Sequence, residues 1–194
     1  MPRLGSRLTH WVWGAAAVAL SAPAIAMQFS DQMQWDETDF IVWGAMLALA
    51  AGAFDIASRM TGNIAYRMAV RIALLGAFLL IWMNLAVGII GSEDNPANLM
   101  YGGVLAAGLI GAFVVRFRAS GMALTLGAMA IAQFAVGVIA LSAGLGSTGA
   151  NWPRVIYVLT AFFAAFWLLS AWLFHRAAGD RRGSARTSAA SQGG

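Results

Sequence analysis

Residues 119–153 carry no formal charge, and neither do residues 8–30 (with His10 neutral), 40–54, 72–92, 95–115 and 155–174. A helix crosses about 30 Å of hydrocarbon with about 20 mainly apolar residues, so runs of this kind restrict a chain to membrane-spanning helices. The 119–153 run is long enough for one helix and a loop, the loop falling at 144–153. The rest hold one helix each. Candidate spans then lie at about 11–29, 40–58, 72–91, 96–115, 121–143 and 154–174. Composition agrees: 60% of residues are hydrophobic and 10% charged, against about a quarter charged in an ordinary soluble domain. The fold class expected is an all-α integral membrane bundle of six transmembrane helices in one domain, residues 1–177. A polar tail at 178–194 has little to bury and reads as disordered.

Turn chemistry supports these limits. Asn95-Pro96 reads as a helix cap followed by proline at the first helical position, where the missing N–H costs nothing. Pro153 can open the last span in the same way, and Thr61-Gly62-Asn63 marks the turn between the second and third.

All twelve basic residues are arginines. With the N-terminus in the cytoplasm and six alternating spans, eleven of them (Arg3, Arg7, Arg59, Arg67, Arg71, Arg116, Arg118, Arg176, Arg181, Arg182 and Arg186) fall inside, and only Arg154 falls outside. That is the excess short cytoplasmic loops carry. Asp31, Asp36, Glu37, Asp39, Glu93 and Asp94 collect on the other side. Trp35, Trp43, Tyr101 and Trp152 then mark the outer interface, and Trp11, Trp13, Tyr66 and Trp172 the inner one. The expected orientation is N-in, C-in. The first segment has a second reading: Arg3 and Arg7, an apolar stretch and Ala24-Ile25-Ala26 also fit a cleaved signal peptide, which would leave five spans. Retention is the expectation, because the run is long enough to span and carries interfacial tryptophans.

The outer loops echo each other, Gly91-Ser92 to Ala97-Asn98 and Gly146-Ser147 to Ala150-Asn151. Duplication of a helical hairpin would give this pattern. The common use of Gly, Ser and Asn in turns gives it too, and is preferred.

The block WMNLAVGIIGSEDNPANLMY at 82–101, with AMQFSDQMQWDETDF at 26–40, resembles a group of small multi-pass bacterial inner-membrane proteins whose activities are uncharacterised. The resemblance covers most of residues 26–145. It implies a multi-pass fold and an inner-membrane location, and carries over no catalytic or binding residue.

Polar groups inside the apolar runs are the candidate site. Asp55 sits about one turn inside the second span, where an ionisable residue is a functional candidate by default. An ion pair with Arg59 or Arg71 is the structural alternative, and the preferred one. Asn84 and Gln133 lie 13 and 15 residues beyond Arg71 and Arg118, which places both roughly 20 Å from the inner end. Amides at one depth can bond across helices. They could instead line a small polar cavity with Trp82 at its wall, and Trp82 is expected between helices rather than against lipid. Small residues repeat at every fourth position in Gly44-Ala48-Gly52, Ala69-Ala73-Ala77 and Gly103-Ala107-Gly111, seams that suit close helix packing or a homo- or hetero-oligomer face.

The chemistry classes excluded are many. With no cysteine there is no thiolate metal site. No H-E-x-x-H, G-x-S-x-G or Walker sequence occurs, and His10 and His175 stand at opposite ends of the chain. The acidic loops match no EF-hand spacing, so no metal or cofactor is expected. The positive charge comes with no nucleic-acid-binding motif, which leaves the bilayer as the partner. A non-enzymatic structural or accessory membrane protein is the expected role. The alternative is a small-solute or ion transporter or channel built on Asn84 and Gln133. The arginine distribution makes a direct prediction: a reporter active only in the cytoplasm is active when fused after Arg118 or Arg176 and silent after Asn95 or Asn151. The reverse pattern at two of these sites overturns the orientation.

Overall fold

The computed structural model describes residues 3–29, 35–60, 62–149 and 151–192, and all the regular structure among them is helical. Six α-helices follow in order: α1 (Arg3–Ala26), α2 (Glu37–Met60), α3 (Ile64–Ala86), α4 (Leu99–Val114), α5 (Ala119–Ser142) and α6 (Arg154–Gln192). A single 3₁₀ turn, Pro96–Asn98, leads into α4. Among the described residues five segments are long and apolar enough to cross a membrane: Glu37–Asp55, Ile64–Ala86, Pro96–Val114, Ala119–Ser142 and Arg154–Asp180. A shorter apolar helix, His10–Ala26, precedes them. The all-α membrane bundle expected from the uncharged runs is therefore the fold.

The chain divides into two compact units, residues 1–62 and 63–194. Uncharged runs count spans and carry no information on which helices pack together, so this division was not legible. In the first unit α1 and α2 pack on each other. The Trp43 indole N–H donates to the Ala19 carbonyl at 3.0 Å, and Gly44 faces Leu20. The start of α2 is set by local chemistry. Asp36 accepts from the Asp39 amide and Asp39 from the Asp36 amide, each at 3.0 Å. This reciprocal cap satisfies two N–H groups that the first turn leaves without helical partners. Trp35 just before the cap packs edge-on against Phe40 just after it, and against Trp43.

In the second unit α6 packs on both α3 and α5, and α5 also packs on α4. The neighbours are antiparallel, and close pairs give the register. Gly76 lies against Phe166, Gly137 against Thr160, and Gly108 and Gly111 against Met129 and Thr125. The buried face of α4 is Tyr101, Val104, Gly108 and Ala112. Gly103 and Ala107 of the predicted small-residue seam point outward instead, because one position of shift turns a helical residue by 100°.

The two ends of this unit are tied by side chains. At the arginine-rich end Asn63 caps α3 by accepting from the Tyr66 amide, and its Nδ2 donates to Asp180 on α6 at 3.0 Å. Tyr66 is buried against Phe174, and its hydroxyl donates to the Phe117 carbonyl at 2.8 Å. That bond holds the α4–α5 turn, in which Arg116 and Phe117 both adopt left-handed backbone (φ 54° and 56°). Tyr66 is thus a packing residue of this end of the unit.

At the acidic end α3 stops at Ala86, five residues short of the expected limit. Gly88 and Gly91 take φ of 70° and 82°, values that side-chain-bearing residues rarely reach, and they unwind the stretch before Asn95. The unwound backbone leaves Ile89 and Ile90 fully buried, so their N–H groups need partners. Asn98 supplies them. Its Oδ1 accepts from Ile89 N at 3.1 Å and Ile90 N at 2.9 Å, while its Nδ2 donates to the Ser92 carbonyl at 2.7 Å. Asn95 caps the 3₁₀ turn at Ala97, as Asn95-Pro96 predicted. The echoing glycines meet: a Cβ on Gly91 would stand 3.0 Å from the Cα of Gly146, itself at φ 75°. The echo goes no further, since Asn98 is buried and Asn151 exposed.

α6 continues to Gln192, through the stretch that the sequence offers as a polar tail. Extending a formed helix is far cheaper than nucleating one, and residues 178–192 contain alanine and arginine but no proline. The Asn98 contacts yield a prediction. Asn98→Ala leaves two buried N–H groups unpaired and should lower stability by about 2–4 kcal/mol. An unfolding titration in detergent measures it, and a loss below about 0.5 kcal/mol would show that the latch carries no weight.

Candidate functional site

The polar residues singled out from sequence do not converge. Asn84 is half-buried near the end of α3, and its Nδ2 donates back to the Leu80 carbonyl at 2.7 Å, while Oδ1 finds no partner. Gln133 is fully buried on α5, and neither of its amide atoms has a hydrogen-bond partner. The expected amide–amide bond is not made, for two reasons. α6 packs between α3 and α5. In addition, the Gly76–Phe166 register puts Asn84 level with Tyr157–Val158, whereas the Gly137–Thr160 register puts Gln133 level with Ala164. Six residues of helix separate those levels, about 9 Å. Depth counted from Arg71 was misleading because α3 begins seven residues earlier, at Ile64.

Trp82 is 42% exposed rather than enclosed. The buried face of α3 runs Tyr66, Ala69, Gly76 and Leu80, and two residues past Leu80 the helix has turned by about 200°. Asp55 is half-buried on α2 in the first unit. Its candidate partner Arg59 has a side chain outside those described, and Arg71 belongs to the second unit.

What Gln133 does meet was missed. It lies on one stripe of α5 between Met129, which faces Gly108 of α4, and Gly137, which faces Thr160 of α6. Gln133 therefore points into the seam where α4, α5 and α6 come together. One turn toward the acidic end, the Tyr101 and Thr160 hydroxyls stand beside each other, within reach of a hydrogen bond. Trp167, seven residues along α6 from Thr160, is fully buried with its indole N–H unpartnered. Tyr101, expected at the outer interface, is 1% exposed. Ser170 on the same face of α6 has a partner, donating to the Ala69 carbonyl of α3 at 2.8 Å. The signal available in sequence was the spacing of Thr160, Trp167 and Ser170, which share one side of a helix and interrupt an otherwise apolar run.

The arrangement offers hydrogen-bonding groups and no formal charge. Among the described residues no three His, Cys, Asp or Glu side chains are placed to hold a metal ion. Chemically it can hold a neutral polar partner or link helices. It offers no acid–base pair.

Separation of the two amides makes a testable statement. Asn84→Leu and Gln133→Leu share no bond, so their effects on stability should add within about 0.5 kcal/mol in the double variant. Asn84→Leu alone should cost about 1 kcal/mol or less, since it removes one back-bond to its own helix. Coupling above about 1 kcal/mol in an unfolding cycle would show that the amides communicate.

Against known proteins, the chain matches no family model, no curated protein and no solved structure.

Proposed function

We propose that this chain is a multi-pass protein of a bacterial inner membrane, with both termini in the cytoplasm, that serves as a non-enzymatic structural or accessory component. The location rests on the arginine distribution and on the resemblance at 26–40 and 82–101. The observation that carries the role is the closeness of the helices around the buried polar cluster of Gln133, Tyr101, Thr160 and Trp167. A Cβ on Gly111 would stand 2.6 Å from Thr125 Cγ2, one on Gly137 would stand 2.6 Å from Thr160 Oγ1, and one on Gly108 would collide with Met129. Helices that approach until only glycine fits leave little room for a solute path along the seam, and in lipid such approach is how helices adhere. Asn84, one part of the alternative transport site, lies on α3, which α6 packs between and separates from α5. Partners would meet the protein through outward small residues such as Gly103 and Ala107 on α4.

The test is flux. Liposomes carrying the wild-type protein should pass protons, K⁺ and small neutral solutes no faster than protein-free liposomes. Solute flux that Asn84→Leu or Gln133→Leu abolishes, with folding intact by circular dichroism, would replace this reading with a transporter or channel.

A further inference from the structure

The seam of α4, α5 and α6 can be laid out level by level from the registers above. At the first level stand Tyr101, Gly137 and Thr160. At the next stand Val104, Gln133 and Ala164, and below them come Gly108, Met129 and Trp167. The polar side chains at these levels, Tyr101, Gln133, Thr160 and Trp167, are each at most 7% exposed. Three of their atoms have no partner within the protein, Gln133 Oε1 and Nε2 and Trp167 Nε1, while the Tyr101 and Thr160 hydroxyls lie against each other with hydrogen-bonding capacity to spare. In hydrocarbon an unmatched polar group is costly, and here donors and acceptors are concentrated within about two helical turns.

We infer that Gln133, Tyr101, Thr160 and Trp167 form a buried binding site for a water-sized neutral molecule that both donates and accepts hydrogen bonds, water itself being the occupant. The chemistry narrows the class. Tyr and Thr hydroxyls do both, the Gln133 amide offers two donors and one acceptor, and the Trp167 indole donates, so the occupant must do both. No Asp, Glu, Arg or His stands at these levels. Arg154 is six residues from Thr160 along α6, and Arg118 is fifteen from Gln133 along α5. An ion would sit there uncompensated and is excluded. Size is limited by the helices: Thr160 fills the space over Gly137 at one end and Met129 that over Gly108 at the other, so only a molecule as small as water fits beside Gln133 between them. A single water makes about three hydrogen bonds in such a place, and here it would join three helices at once. The inference is independent of the structural role proposed above, because a sealed site binds water without conducting it.

The experiment is water-edited solid-state NMR on the wild-type protein in bilayers, labelled with ¹⁵N at glutamine side chains. The chain has five glutamines, Gln28, Gln32, Gln34, Gln133 and Gln192, and the Gln133 amide is the signal lost in Gln133→Leu. The expected result is magnetisation transfer from water to the Gln133 amide protons although they exchange slowly with bulk deuterium. Thr160→Ile, or Tyr101→Phe should Thr160→Ile fail to fold, should weaken that transfer at least twofold with the other glutamine signals unchanged. A Gln133 amide that receives no magnetisation from water, and instead shows a direct contact with the Tyr101 ring or Thr160 hydroxyl, would overturn the inference. Fast exchange with bulk deuterium would overturn it as well, since the site would then be open to solvent.

Discussion

One face of α6 is the surface on which the second unit is assembled. Ile156, Thr160, Phe163, Trp167, Ser170 and Phe174 recur at helical spacing and are buried, and both α3 and α5 close against that helix. Burial on two sides explains why the face is not uniformly apolar. Toward α3 it presents Phe166 to Gly76 and the Ser170 hydroxyl to the Ala69 carbonyl, and toward α5 it presents Thr160 to Gly137. Lipid is as apolar as leucine, so no hydrophobic gain drives helices together inside it. Close van der Waals contact and hydrogen bonds between helices must hold them. The glycine contacts and the Ser170 bond are the two means seen here.

The ends of the helices pose a different problem, because backbone released from a helix must bond elsewhere. At the acidic end the left-handed glycines break α3 early, and the side chain of Asn98 substitutes for the lost helical partners of Ile89 and Ile90. The two buried isoleucines can then plug the end of the unit although they belong to no helix. At the arginine-rich end the Tyr66 hydroxyl does the corresponding work for a turn with two non-glycine residues in left-handed conformation. Such residues persist only where surrounding contacts over-determine them.

These arrangements bear on function through what they bring together and what they separate. The amides of Asn84 and Gln133 end up at different levels on helices divided by α6, which removes the basis for one shared polar site. The Gln133 amide instead shares with two hydroxyls and an indole the seam where α4, α5 and α6 meet. The cluster has no carboxylate, imidazole or guanidinium at its levels, so it suits uncharged hydrogen bonding.

The sequence by itself determined the class of fold. Uncharged runs separated by arginines and carboxylates leave hydrogen-bonded helices as the way to satisfy backbone groups in lipid, and that requirement is local. Local chemistry also made the Asn95 cap and the turn at Asn63 legible. Tertiary structure decided what depends on rotation and register. Trp82 and Tyr101 both lie in apolar helices, yet one faces outward and the other is enclosed, because one helical position turns a side chain by 100°. Gln133 and Thr160 face a common seam only because Gly137 lets α5 and α6 approach to one particular register. Hydropathy counts residues along a helix and is blind to that angle, so the spans could be read and the polar cluster could not.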